Sequence, residues 1–190
     1  MTSKWYTGIG SRETPDDVLE VMTKAGKALA QKGWGLRSGG ATGADQAFES
    51  GWWLHRQQQD ICYTANDYEC YVPWWGYEGH ERTSHDGKNF NPETWPTYFT
   101  AMVIAALLHP NWDACKRGAK AMHARNCYQV LGPDLATPSK FVIGYAKTDR
   151  KGIPQGGTAT AFKLAKTSGI EVFNLYIPEH LDRLKTFIGE

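Results

Sequence analysis

Trp34-Gly35-Leu36-Arg37, Ser38-Gly39-Gly40-Ala41-Thr42-Gly43 and Ala44-Asp45-Gln46-Ala47-Phe48-Glu49 divide residues 34–49 into a short strand, a glycine-rich turn and a helix start. The helix runs to about His55, with Ala44, Ala47 and Phe48 spaced to face inward. A mere connection does not require three glycines. Before a helix start they let backbone N–H groups approach a phosphate with no Cβ in the way, which makes Ser38, Gly39, Gly40, Thr42 and Gly43 candidate ligand contacts. Asp45 at the helix start reads either as a cap and dipole partner or as a group for a ribose or for catalysis. The turn matches neither a Walker A loop nor GxGxxG, so triphosphate hydrolysis and the usual dinucleotide mode are not supported.

The same rhythm recurs on both sides. Trp5-Tyr6-Thr7-Gly8-Ile9-Gly10 is an extended run, followed by a helix from Thr14-Pro15-Asp16-Asp17 that carries Val18, Met22, Ala25 and Leu29 at helical spacing. Thr14 is the expected cap, and Asp16 and Asp17 suit the helix dipole. Late in the chain, Phe141–Tyr145 is strand-like, Gly156-Gly157-Thr158 a turn, 159–167 a helix and 170–175 a strand, and an amphipathic helix spans Pro178 to Ile188. Repeated strand–turn–helix units predict an α/β fold, a Rossmann-like doubly wound and mostly parallel sheet in one domain over residues 1–190.

Between these units, residues 52–112 hold six of the eight tryptophans. Glu69–Val72 is a candidate core strand, and an aromatic-rich insertion at about 73–97 reads as a long surface loop. Helices at about 98–108 and 113–125 and a strand at 128–131 complete the expected elements.

A net charge of +1 is too small for the broad positive field of a protein that grips duplex DNA through its phosphates. Residues 52–112 hold three basic against seven acidic side chains and residues 113–190 twelve against seven, so any anion-binding bias lies toward the C-terminal part. Cys62, Cys70, Cys115 and Cys127 show no CxxC spacing, and reduced thiols are expected. His80, Glu81, His85 and Asp86 lie close in sequence without HExxH spacing, so no metal site is expected, and no cofactor. The start lacks an apolar signal core, and the longest apolar run, Ala101–Leu108, is far too short to span a bilayer; a cytoplasmic location is the expectation.

Two further turns carry candidate chemistry. Gly8, Gly10, Ser11 and Arg12 follow the first strand, where amides can turn toward a ligand at the carboxyl edge of a sheet; the plainer reading is a tight turn with an exposed arginine. Gly156, Gly157, Thr158 and Thr160 place small residues and hydroxyls at a second helix N-terminus, which can face the same crevice. Trp74, Trp75 and Tyr77 can stack on a base, anchor the insertion to the core or form a subunit contact.

At this point the chain resembles the SMF/DprA-LOG superfamily of Rossmann-like proteins. The matching elements are TGIGSR, LRSGGATGADQAFESG, the quartet His123-Ala124-Arg125-Asn126, and GGTATAFKLAKTSGIEVFNL, in the expected order across most of the chain. The resemblance implies phosphate turns at 39–45 and 156–161, a ligand-side role for Arg125 beside Asn126, and self-association into a homo-oligomer. A bidentate guanidinium suits a phosphate or a glycosidic bond under attack. LOG phosphoribohydrolases carry a catalytic glutamate after PGGxGT, whereas this chain reads Thr160-Ala161-Phe162-Lys163 there. A copy of that hydrolase mechanism needs its carboxylate from elsewhere, and Glu13, Asp45 and Glu49 are the candidates, with Arg125, for catalysis.

The leading expectation is therefore a protein that binds a nucleotide or nucleotide-derived small ligand between two glycine turns, with cleavage or transfer at the N-glycosidic bond as its hydrolase form. Single-stranded DNA binding of the DprA kind is the alternative, disfavoured by the acidic insertion. A third is a catalytically inactive interaction protein.

Overall fold

The computed structural model describes residues 4–58, 67–80 and 89–189. In chain order the elements are β1 (Lys4–Gly10), α1 (Asp16–Gln31), β2 (Trp34–Ser38), α2 (Ala44–Gln58), β3 (Tyr68–Tyr71), β4 (Asn89–Phe90), α3 (Tyr98–Leu108), α4 (Arg117–Leu131), β5 (Phe141–Tyr145), α5 (Gly157–Thr167), β6 (Glu171–Asn174) and α6 (Pro178–Ile188). All strand pairings are parallel, and the order β4-β3-β2-β1-β5-β6 makes a doubly wound, Rossmann-like α/β sheet.

Successive residues of a strand point to opposite faces, and here both faces are covered. Tyr6, Leu36, Ile143 and Tyr145 pack under α1, α2 and α6 in one core. Ile9, Tyr71 and Val142 pack under α3, α4 and α5 in the other. The apolar stripe expected on α1 is buried at Val18, Met22, Ala25 and Leu29, and α2 buries Ala44, Ala47 and Phe48. Gly26 and Gly51 let these two helices meet at backbone distance: a Cβ on Gly51 would collide with the Thr23 carbonyl oxygen, and one on Gly26 would stand 2.5 Å from that of Phe48.

One charged side chain in the sheet has a structural explanation. Arg37 of β2 is buried, donating from Nε to Glu69 at 2.7 Å and from Nη1 to the Thr137 carbonyl at 2.6 Å, with the Trp5 ring 4.8 Å away. A buried guanidinium is tolerated when its donors find such partners.

Several elements differ from expectation. Residues 128–131 are the last turn of α4, not a strand. Tyr128-Gln129-Val130-Leu131 has strand-like side chains, but the run continues the stripe of Ala121, Ala124 and Cys127, which holds it on the sheet as helix until Gly132 at φ 80° ends it. The same helix begins at Arg117, later than Asp113, after a corner at 109–116. Thr14 does not cap α1: Pro15 stands at the cap, and the Thr14 hydroxyl donates to the Ser11 carbonyl at 2.7 Å. Within 73–97 the chain adds the edge strand β4 and anchors itself by Phe90 and Trp95, which pack on Tyr71 and, for Trp95, on Tyr128. Cys62, Glu81, His85 and Asp86 lie outside the described residues. Among the described residues, no helix is long and apolar enough to cross a membrane.

Candidate functional site

The strand order places β1 between β2 and β5, so the segments leaving the carboxyl ends of β1 and β5 diverge and open a crevice at the point where the order reverses. A cavity of about 490 Å³ occupies it. Its walls come from the turn after β1 (Gly10 to Glu13), the start of α2 (Ala41, Asp45), α4 (His123, Arg125, Asn126, Gln129) and the start of α5 (Gln155 to Thr158), with Tyr77 at one side.

The glycine turn at 38–43 is closed by the protein's own carboxylates. Gly10 N–H donates to Asp45 Oδ1 at 3.0 Å, and the Ala41 and Gly39 backbone also bonds this carboxyl. Gly40 N–H donates to Glu49 Oε1 at 3.0 Å. Three of the turn's amides, those of Gly39, Gly40 and Ala41, therefore face carboxylates of the helix that follows. Gly40 adopts φ 65° with His80 packed over it, and its carbonyl lies 3.2 Å from His80 Nε2.

Arg125 joins this arrangement from α4. Its Nη1 donates to the Gly39 carbonyl at 2.7 Å and lies 3.6 Å from Asp45 Oδ2, and the guanidinium stands 5.8 Å from the centre of the Tyr77 ring. Asp45, Glu49 and Arg125 are all buried. Burial pushes the Asp45 carboxyl up, against Arg125 and the backbone donors, which pull it down. For Glu49, burial and then the charge of Asp45 both push up, to about 7, so Glu49 is the member of the pair disposed to hold a proton. Several polar atoms on this wall lack a partner: Arg125 Nε, His123 Nδ1, and both amide atoms of Gln129. Burial, then His109 and Arg125, push the His123 imidazole down to about 4, so it is neutral.

Across the crevice, α5 begins with open amides. Gly156 adopts φ 79°, no side chain caps the helix, and the space where a Cβ would stand on Gly156 or Gly157 is empty to 4 Å. Asn126 Nδ2 donates to the Gly157 carbonyl at 3.1 Å, fixing this turn to α4.

Of the candidate residues in the sequence, the crevice brings together Gly10, Ser11, Arg12, Glu13, Asp45, Arg125, Asn126, Gly156, Gly157 and Thr158. Gly8 lies in the core against Phe48 and Leu36, and Ser38, Gly39, Gly40, Thr42, Gly43 and Thr160 stand behind or beside the walls. Glu49 lies beneath Gly40, off the surface of the crevice, and Glu13 is an exposed rim group 3.4 Å from Lys147. Trp74 packs edge-on against Tyr77 at 5.3 Å, and only Tyr77 of the two lines the cavity. Gln129 and Gln155 line it as well, although neither stands in a motif. Gln129 follows Arg125 by one helical turn, which is a readable sign once residues 125–129 are helical.

Fold and crevice together define a class: an α/β protein with an all-parallel doubly wound sheet and a crevice at its switch point. No protein-family model matches the chain, and no curated protein does. Among solved structures, DNA processing protein A from Helicobacter pylori, described for its single-stranded DNA binding mode, is similar over 98% of this chain and 81% of its own, with 11% identity and a TM-score of 0.39. A likeness that loose carries nothing about what this chain binds.

Proposed function

We propose that the switch-point crevice binds a nucleotide or nucleotide-derived phosphate. The observation that carries this reading is the opposition of two unlike walls: an uncapped helix N-terminus at Gly156-Gly157-Thr158 faces a buried Asp45–Arg125 pair across a cavity of about 490 Å³. Phosphate belongs on the α5 amides, which no side chain caps and where the helix dipole favours an anion, and on Arg12, which stands 4.0 Å from Glu78. Asp45, an acceptor, suits ribose hydroxyls, and Gln129 offers an unpaired amide to a sugar or base. The turn at 39–43 then acts as a scaffold for the carboxylates, with Tyr77 beside the base.

The same walls equip the crevice for N-glycosidic scission. An Asp45 carboxylate supplies the negative charge that an oxocarbenium-like state needs, Arg125 fixes it, and Glu49 stands behind as a proton store. In this reading the acting carboxylate belongs to α2, opposite the helix that carries Thr160-Ala161-Phe162-Lys163.

Thermal unfolding with a panel of nucleoside monophosphates tests the binding reading. Stabilisation by at least one member is expected, and Gly157→Asp, which sets a negative charge among the α5 amides, should abolish it while leaving the unliganded protein folded. An equal response in wild type and variant would place the ligand elsewhere. Chromatography of the same incubations for free base tests scission; no product from any bound nucleotide would end the hydrolase reading.

A second reading, single-stranded DNA binding, is favoured by Trp74 and Trp75, 39% and 36% exposed near Tyr77 at the crevice side. Exposed indole faces can stack bases without sequence preference.

A further inference from the structure

A second group of side chains lies at the corner between α3 and α4. Among the described residues, His109, Cys115 and His123 bring one ligand atom each to within 4.8 Å of one another. His109 caps the end of α3, Cys115 sits in the corner, and His123 reaches back from the second turn of α4. The Cys115 sulfur is 3.7 Å from either ring nitrogen of His109. In a tetrahedral zinc centre with bonds of about 2.3 Å to sulfur and 2.0 Å to nitrogen, sulfur stands about 3.5 Å from the bonded nitrogen and farther from the other, so binding turns the His109 ring to aim one nitrogen at the metal. The imidazoles of His109 and His123 have centroids 4.5 Å apart at 57°, converging instead of stacking face to face.

Independent of this spacing, His123 is 8% exposed and its Nδ1 has no hydrogen-bond partner. A buried imidazole nitrogen left without a partner is costly unless something occupies it. Asn111 N–H donates to His109 Nδ1 at 3.2 Å, and a metal taking that lone pair replaces this hydrogen bond. Trp112 stands 6.2 Å and 6.3 Å from the two imidazoles and covers one side.

We infer that His109, Cys115 and His123 form a binding site for one zinc-type divalent metal ion. The donor set selects the ion. Two imidazoles and a thiolate suit zinc or cobalt, whereas magnesium and calcium demand oxygen donors. Three protein ligands leave one tetrahedral position for water. The metal ties together two helix ends and the corner between them, in the way that a clip closes a loop. Cysteine spacing gave no hint of the site, because it uses one cysteine and two histidines separated by five and seven residues.

The test titrates untagged, reduced, full-length protein with Co²⁺ and then Zn²⁺, recording absorption spectra. One equivalent of Co²⁺ should produce the intense ligand-field bands of a tetrahedral centre and a sulfur-to-metal charge-transfer band, and one equivalent of Zn²⁺ should remove both. Cys115→Ser should lose the charge-transfer band, and His109→Gln should weaken Co²⁺ binding at least about tenfold while retaining that band. Because His123 is buried, the partly exposed His109 and Cys115 carry the test. Octahedral spectra, a charge-transfer band that survives Cys115→Ser, or unchanged affinity in His109→Gln would overturn the assignment.

Discussion

Glu49 shows how a single side chain links folding to pH. Its carboxyl is raised from 4.5 to about 7 by burial and by Asp45, so the folded protein binds this proton more tightly than the unfolded chain does. The contribution to stability is full below pH 4.5 and is lost as pH rises through 7. Each tenfold gain in proton affinity is worth about 1.4 kcal/mol, so roughly 3 kcal/mol is at stake. Glu49→Gln keeps an acceptor for Gly40 N–H and removes the titration. Denaturant unfolding of the variant should match wild type near pH 4.5 and exceed it by up to about 3 kcal/mol at pH 8. A constant difference across this range would show that Glu49 does not hold the proton. Arg125 makes the opposite point. Its sequence context is that of a helical cation, yet its place is a buried junction of Asp45, the Gly39 carbonyl and the Tyr77 ring.

The α1–α2 pair shows an element overriding local preference. Within an exposed helix, glycine to alanine gains roughly 1 kcal/mol. At Gly51 of α2 the new Cβ would strike the Thr23 carbonyl of α1, and overpacking of this kind costs about 1–3 kcal/mol or more. Gly51→Ala should therefore lower the unfolding free energy by about 2 kcal/mol; a gain would mean that the helices separate without penalty. The helix at 117–131 illustrates the same rule in the sequence reading. Four residues with strand-like side chains become the end of a helix because the stripe from Ala121 to Cys127 already commits the segment to the sheet face. The βα units at 4–31, 34–58 and 141–167 were legible for the reverse reason: turn glycines and helical stripes agree there.

For the whole molecule, charge separates the two readings of the crevice. The chain carries 21 basic and 20 acidic side chains, so a track of phosphates would have to be held by a local patch. A nucleotide meeting Arg12 and the α5 amides releases few counterions, whereas a single strand loses affinity with a slope near about −0.7 for each phosphate neutralised. Titration of an oligonucleotide and a nucleotide at several salt concentrations should show weak dependence for the nucleotide and little oligonucleotide binding. Tight, steeply salt-dependent oligonucleotide binding would favour the Trp74–Trp75 surface instead.

The sequence alone determined the fold class and most of the crevice wall, because glycines before helix starts and apolar periodicity are local signals read within about ten residues. It named Asp45 and Gly156–Thr158 for the same reason, and Arg125 through the family resemblance. Only the tertiary structure decided what those residues do to each other. The amides of the first turn are taken by Asp45 and Glu49, the free amides are those of α5, and His109, Cys115 and His123 meet across a helix corner. Such pairings depend on distances between segments far apart in the chain or turned back on themselves, and neither spacing nor composition encodes a distance.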